Sequence, residues 1–198
     1  MASYELFKSS LERAEGGYQN LIHDKGNYNS KGERVGTNHG ISAKFYEKVI
    51  GRPPSIDDMK AITKFDAHLL FENEFWDKVR ANDIQSQAVA EMIADHAINA
   101  NPKVIAKMVQ TTLNSSFDKR LVVDGAVGSK TIEAINSVNP TKLFYKIGQE
   151  RLAYYENLND YKYFAKSWDS RVYALGRKFG VEIKKKRNWQ CLWDFLEQ

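Results

Sequence analysis

The chain carries a single cysteine, Cys191, in 198 residues. An internal disulfide is excluded, and such usage fits a reducing compartment. No apolar run approaches the roughly 20 residues of a membrane-spanning helix, so no membrane insertion is expected. The N-terminus lacks the basic region and apolar stretch of a signal peptide. There is no internal repeat and no low-complexity segment. Clusters with metal-ligand spacing are also missing: His23-Asp24 is an isolated pair, and no metal or cofactor is expected. His68 and His96 fall in helical segments and read as satisfied or exposed histidines rather than ligands. Strands are scarce, Leu121-Val122-Val123 being the one extended candidate outside a small hairpin.

What is present is ordinary for a folded domain. The composition is 42% hydrophobic and 27% charged, enough for a real core. The length suits one domain, or one with a small lobe. The net charge of +4 and pI near 9.0 suit a polyanionic partner, whether an anionic cell wall or a nucleic acid. The basic run Lys184–Arg187 with nearby Trp189 is the feature that would favour nucleic acid. It reads instead as a solvated run, and no nucleic-acid partner is expected.

Helical periodicity dominates. Leu6, Phe7, Leu11 and Ala14 fall on one face of a first helix capped by Ser3. Ser42 starts a helix carrying Phe45, Tyr46, Val49 and Ile50, ended by Gly51-Arg52-Pro53-Pro54. Ser55 and Asp58 have capping-box spacing, and Ile62, Phe65, Leu69 and Phe71 carry the pattern to about residue 74. Residues 87–99 are amphipathic, with Ala88, Val89, Met92, Ile93 and Ala97 on one stripe. Asn101-Pro102 and Asn139-Pro140 each place a cap before a first-turn proline. Trp168, Val172, Leu175 and Phe179 predict a further helix, and Trp189–Leu196 a last short one. Between residues 19 and 40, asparagines and glycines break the pattern. There Tyr28 and Val35 predict a hairpin with residues 29–33 as its tip.

The first helix runs into Arg13-Ala14-Glu15-Gly16-Gly17-Tyr18. Gly16-Gly17 stops it, which places Glu15 in the last turn. The carbonyl end of a helix opposes a second anion, and a partly dry site adds to that. Both favour a protonated carboxyl, the group glycoside hydrolysis needs as its general acid. The alternative reading of Glu15 is a solvated surface glutamate.

Glu15-Gly16-Gly17-Tyr18 after a short helix resembles the signature of glycoside hydrolase family 108, lysozyme-like N-acetylmuramidases often of phage origin. Val123-Asp124-Gly125-Ala126-Val127-Gly128-Ser129-Lys130-Thr131 resembles the Val-Asp-Gly-x-x-Gly-x-x-Thr block of the peptidoglycan-binding region that accompanies them. The resemblance implies a mainly α, lysozyme-like fold with one small β-hairpin after the N-terminal helix. It implies a catalytic region over 1–95 and a helical C-terminal lobe over 96–198 with the peptidoglycan-binding region, together one compact unit.

The function implied is cleavage of the β-1,4 bond between N-acetylmuramic acid and N-acetylglucosamine, with Glu15 as general acid. The alternatives are a lytic transglycosylase using the same glutamate and a non-catalytic peptidoglycan-binding protein. Asp24 and Thr37 are the catalytic partners to weigh. Phage-type lysozymes show Glu-x8-Asp-x5-Thr, and this chain keeps the first interval but lengthens the second. Family 108 members usually carry Gly-Gly-x-Thr-x-aromatic-Gly-Ile; here Thr37-Asn38-His39-Gly40-Ile41 fits, with His39 in place of the aromatic. Asp24 reads equally as a turn former, and Thr37 as a plain hairpin residue. Tyr18, Tyr28 and His39 are the substrate-binding candidates. Trp76 and Trp168 are sugar-stacking or core aromatics. Residues 123–131 read as a structural corner rather than a ligand site. Peptidoglycan is the expected partner. The protein would be synthesised in the cytoplasm and act on the bacterial wall after release or non-classical export.

Overall fold

In this computed structural model residues 1–12 and 16–185 are described. The fold is mainly α and lysozyme-like, with one two-stranded antiparallel sheet. The chain divides into two compact units: Tyr4–Glu74, and Met1–Ser3 with Phe75 onward.

In the first unit, α1 (Tyr4–Glu12) buries Tyr4, Phe7 and Leu11, a spacing of three and four residues that puts them on one face. Leu6, expected on that face, is exposed. The sheet pairs β1 (Thr37–Asn38) with β2 (Ile41–Ser42). The hairpin expected at Tyr28 and Val35 is therefore displaced: Tyr28 forms only an isolated bridge to Arg34. α2 (Ala43–Ile50) starts at Ser42, whose hydroxyl accepts the Phe45 N–H, and stops at left-handed Gly51. The single helix expected up to residue 74 is two helices, α3 (Ile56–Ala61) and α4 (Lys64–Phe71), followed by a π-helical turn over Glu72–Trp76. The reason is local. Thr63 and Asp66 form a second capping box as complete as that of Ser55 and Asp58, so the chain restarts a helix there. The Arg52 guanidinium, with the Ser55 donors, holds the Asp58 carboxyl well below the usual carboxylate range.

The second unit is built on α5 (Gln87–Asn99), packed against α6 (Pro102–Phe117), α8 (Pro140–Glu156) and α9 (Tyr161–Lys178), with the short α7 (Ser129–Asn136) between α6 and α8 in the chain. Asn101 and Asn139 cap α6 and α8 with first-turn prolines, as the sequence predicts. The single stripe expected on α5 is instead burial all round. Every residue from Val89 to Ala97 is buried, Glu91, Asp95 and His96 included. A helix surrounded on all sides cannot show a clean two-faced pattern. Its charges are matched by cations from α8 and α9: Asp95 meets Arg151 and Arg171 at 2.6 Å each, and Glu91 meets Lys178 at 2.7 Å. Burial alone would raise the Asp95 carboxyl, but the Arg171 and Arg151 guanidiniums outweigh it and hold it well below its ordinary range. Beyond α9 the chain turns back so that Ile183 lies on Gly148 and Gly176, where a Cβ would come within about 2.6 Å of Ile183 Cδ1 or the Val181 carbonyl. Leu121–Val123 forms no strand. Cys191 and the helix expected over Trp189–Leu196 lie outside the described residues.

Candidate active site

Glu15 lies outside the described residues, while the segment C-terminal to it builds a hydrogen-bonded frame. Gln19 and Thr37 exchange backbone hydrogen bonds at 2.9 Å in an antiparallel bridge. Thr37 then leads through β1 into a two-residue turn, His39-Gly40, where both residues have positive φ, 46° and 76°. That is the requirement of a I′ hairpin turn, and histidine is among the side chains that tolerate it. Asn38, buried, reaches back with its amide to the carbonyls of Met59 and Ile62, which anchors the hairpin to the end of α3.

Asn27 is the hub. It is fully buried, and all four of its side-chain hydrogen-bonding positions are filled. Its Oδ1 accepts from Thr37 Oγ1 at 2.7 Å and from Gln19 Nε2 at 3.1 Å. Its Nδ2 donates to Gln19 Oε1 at 3.0 Å and to the Leu21 carbonyl at 2.9 Å. Asp24 joins through Gln19, whose Nε2 donates to Asp24 Oδ2 at 3.1 Å. Its other oxygen accepts the Gly26 N–H at 2.8 Å and caps the 3-10 turn Lys25–Asn27. Asp24 and Thr37 are thus brought into one network, with Asp24 acting as the turn former that the composition allows.

The hydroxyl of Thr37 gives its proton to Asn27 and sits half-buried. Its lone pairs therefore remain to accept from a water or a sugar hydroxyl. Tyr18 lies over Gly36, where a Cβ would come within 2.7 Å of both Tyr18 Cε2 and the Gln19 carbonyl. Gly36 has φ 93°, so glycine is required there on two counts. The Tyr18 hydroxyl donates to the Val35 carbonyl at 3.1 Å, and the Lys60 ammonium stands 5.4 Å from its ring centroid. The Tyr28 hydroxyl donates to the Ile22 carbonyl at 2.9 Å. With both hydroxyl protons donated to backbone carbonyls, either tyrosine offers a ligand its ring and an oxygen that can only accept. Leu21 and Ile22, on the same loop, are exposed.

Gln19 and Asn27 are the site residues that sequence reasoning took only for turn residues. The signal was the density of amide side chains in a stretch with few apolar ones. Such a stretch can bury its backbone only by satisfying it with side chains.

In the second unit the Val123–Thr131 block forms a corner around Gln110. The Gln110 amide donates to Asp124 Oδ1 at 2.8 Å and to the Ala126 carbonyl at 3.0 Å, and its oxygen accepts the Gly125 N–H at 3.0 Å. The Ala126 N–H, with the Gln110 amide, holds the Asp124 carboxyl below its ordinary value. Gly125, at φ 81°, packs on Lys103, and Thr131 is buried. Trp76 is a core residue whose indole donates to Asn82 at 2.8 Å. Among the described residues no group of three or more His, Cys, Asp or Glu side chains is placed to hold a metal ion. No described helix is long and apolar enough to cross a membrane.

Residues 9–100 match the glycosyl hydrolase 108 family, and residues 104–173 match a predicted peptidoglycan domain. No curated protein matches the chain significantly. Among solved structures, SagA of Brucella abortus is 27% identical, with a TM-score of 0.76 over 88% of this chain and 92% of its own. The glycosyl hydrolase 108 match over 9–100, followed by the predicted peptidoglycan domain over 104–173, supports a peptidoglycan-degrading enzyme of the glycosidase type.

Proposed function

We propose that the enzyme is an N-acetylmuramidase that cleaves the β-1,4 bond between N-acetylmuramic acid and N-acetylglucosamine. Glu15 protonates the leaving oxygen. The bond to the anomeric carbon breaks, and water delivers hydroxide equivalent to that carbon as its proton returns to the Glu15 carboxylate or to solvent. Thr37 holds the water through its oxygen, and Asn27 with Gln19 holds Thr37. Asp24 is a positioning residue in this scheme. Tyr18 and Tyr28 offer ring faces to the pyranoses, and His39 lines the hairpin end of the site. The observation that carries this reading is the closed Gln19–Asp24–Asn27–Thr37 network, which starts four residues after Glu15 and fixes a hydroxyl with its lone pairs free.

One feature favours a second chemistry. Each Asp24 oxygen accepts an internal donor and one of them caps the Lys25–Asn27 turn, which suits a positioning role for this carboxylate better than that of a base. A lytic transglycosylase needs only the one acid, since the muramyl 6-hydroxyl replaces water and the product is lighter by one water.

Clearing of purified peptidoglycan tests the proposal. Glu15→Gln is expected to lower the rate at least about a hundredfold, and a variant as active as wild type removes Glu15 from the mechanism. Mass analysis of the digest separates a reducing muramic acid end from a 1,6-anhydro end. Sacculus binding with no sugar release from wild type would identify a non-catalytic binder.

A further inference from the structure

The predicted peptidoglycan domain contains a stretch the chemistry above does not use. The Val123–Thr131 block is a structural corner fixed around Gln110, with Thr131 buried. The first half of α9 is different. Trp168 is stacked with Phe164 at 5.4 Å between centroids and 29° between planes, and with buried Tyr155 at the same distance and angle. Tyr161 stacks on the same indole at 6.5 Å and 30°. The array is held from beneath. The Tyr161 hydroxyl donates to Asp169 at 2.9 Å, and the Lys185 ammonium bonds Tyr161, Asp169 and Glu156. Burial would lower the Lys185 ammonium, but those three partners raise it above its ordinary value.

The outer edge of this array faces solvent. Phe164 is its outer ring, 43% exposed, and the neighbouring Tyr163, which lies outside the stack, is 71% exposed. Exposed lysines 162 and 166 flank them, Lys162 standing 4.8 Å from the Tyr163 ring centroid. Contiguous exposed aromatics on a soluble protein mark a binding surface. A ring already fixed by stacking, as Phe164 is, loses little entropy when a ligand lands on it. Flat ring faces suit the apolar faces of pyranoses, and two ammonium groups beside them suit the carboxylates of muramyl and stem-peptide groups.

We propose that Phe164, stacked on Trp168, and the adjacent exposed Tyr163, with Lys162 and Lys166 beside them, form a glycan-binding site for peptidoglycan, separate from the catalytic chemistry. It rests on the reading of the chain as a peptidoglycan-degrading enzyme. Its role is retention on the wall: it keeps the enzyme on an insoluble polymer between cleavages.

Two measurements on the full-length protein test this: co-sedimentation with purified sacculi in the cold, and sugar release from short soluble glycan fragments. The Tyr163→Ala, Phe164→Ala double variant is expected to weaken sacculus binding about tenfold or more, as loss of aromatic anchors does. Its activity on soluble fragments should stay within about twofold of wild type, on the same principle that contacts remote from the cleaved bond affect retention rather than chemistry. Tyr163→Phe should retain binding, because it keeps the ring. Lys162→Gln with Lys166→Gln should weaken binding mainly at low salt. A double variant that binds sacculi like wild type overturns the site and leaves the hydrolase reading intact. Equal loss of sacculus binding and soluble-fragment activity also overturns it, since that signals damage to the fold. No sugar release by wild type from either substrate would instead sink the hydrolase reading, and it would leave the binding result standing on its own.

Discussion

Asn27 and Asp95 are buried polar side chains, one in each compact unit, and they are satisfied in different ways. Asn27 is neutral and is matched by one side-chain amide, one hydroxyl and one backbone carbonyl within a stretch of about twenty residues. Asp95 is charged and is matched by two guanidiniums from 56 and 76 residues further along the chain. The first arrangement holds a loop where little apolar surface exists. The second ties three long helices around one acid. A neutral local network can form a ligand-facing surface without a large desolvation cost, whereas a buried ion pair is tolerable only with every partner present.

That contrast can be broken from either side. The largest effect is expected from Asp95→Asn. It leaves the fully buried Arg151 without its counter-charge and should cost about 3–5 kcal/mol in urea unfolding. Asn27→Ala should cost less, about 1–3 kcal/mol for the groups left unsatisfied. It should show mainly as faster hydrogen exchange between Gln19 and Thr37, and peptidoglycan clearing should fall further than the stability change explains. If both substitutions cost the same and both abolish activity, the distinction between the units is wrong.

His96 sharpens the comparison through pH. Burial, with the Arg151 charge, holds its imidazole well below its ordinary pKa, while Asp95 opposes this only partly. Its Nδ1 lies 3.1 Å from the Tyr155 hydroxyl. The folded protein therefore binds this proton less readily than the unfolded chain. The contribution is present in full above about pH 6.5 and is lost as pH falls below it, at no more than about 1.4 kcal/mol per pH unit. Urea midpoints between pH 7.5 and 5.5 should show this slope, and His96→Gln should flatten it. The smallest effect is expected from Asn139→Ala, which removes the α8 cap whose Oδ1 accepts the Lys142 N–H at 2.9 Å. A loss of about 1 kcal/mol is anticipated from thermal melting.

The same contrast explains what the sequence made legible. The second unit is written in periodicity and caps: Gln87–Asn99, Asn101-Pro102 and Asn139-Pro140 mark element ends to the residue. The charges inside α5 were not legible, because Glu91 and Asp95 look like surface residues until their long-range partners are known. In the first unit Ser42, Gly51 and the Ser55–Asp58 box were read directly. The break at Thr63 was missed because Ile62, Phe65 and Leu69 continue the apolar spacing across it, although Phe65 and Leu69 are exposed. The hairpin was placed too early because its turn is set by backbone sign at His39-Gly40, a two-residue signal. In the site, residue types pointed to Asp24 and Thr37, but the amides that join them have no periodicity to reveal them. Glu15 stands on its motif alone.

Helix α5 carries one more consequence. It falls within the 9–100 family segment, yet its neighbours α6, α8 and α9 come from after residue 101. A cut at the sequence boundary near residue 102 would strip Arg151, Arg171 and Lys178 from the acids they neutralise. Recombination between relatives should therefore succeed at a join near residue 74 and fail near 102, because the packed unit does not end where the family match ends.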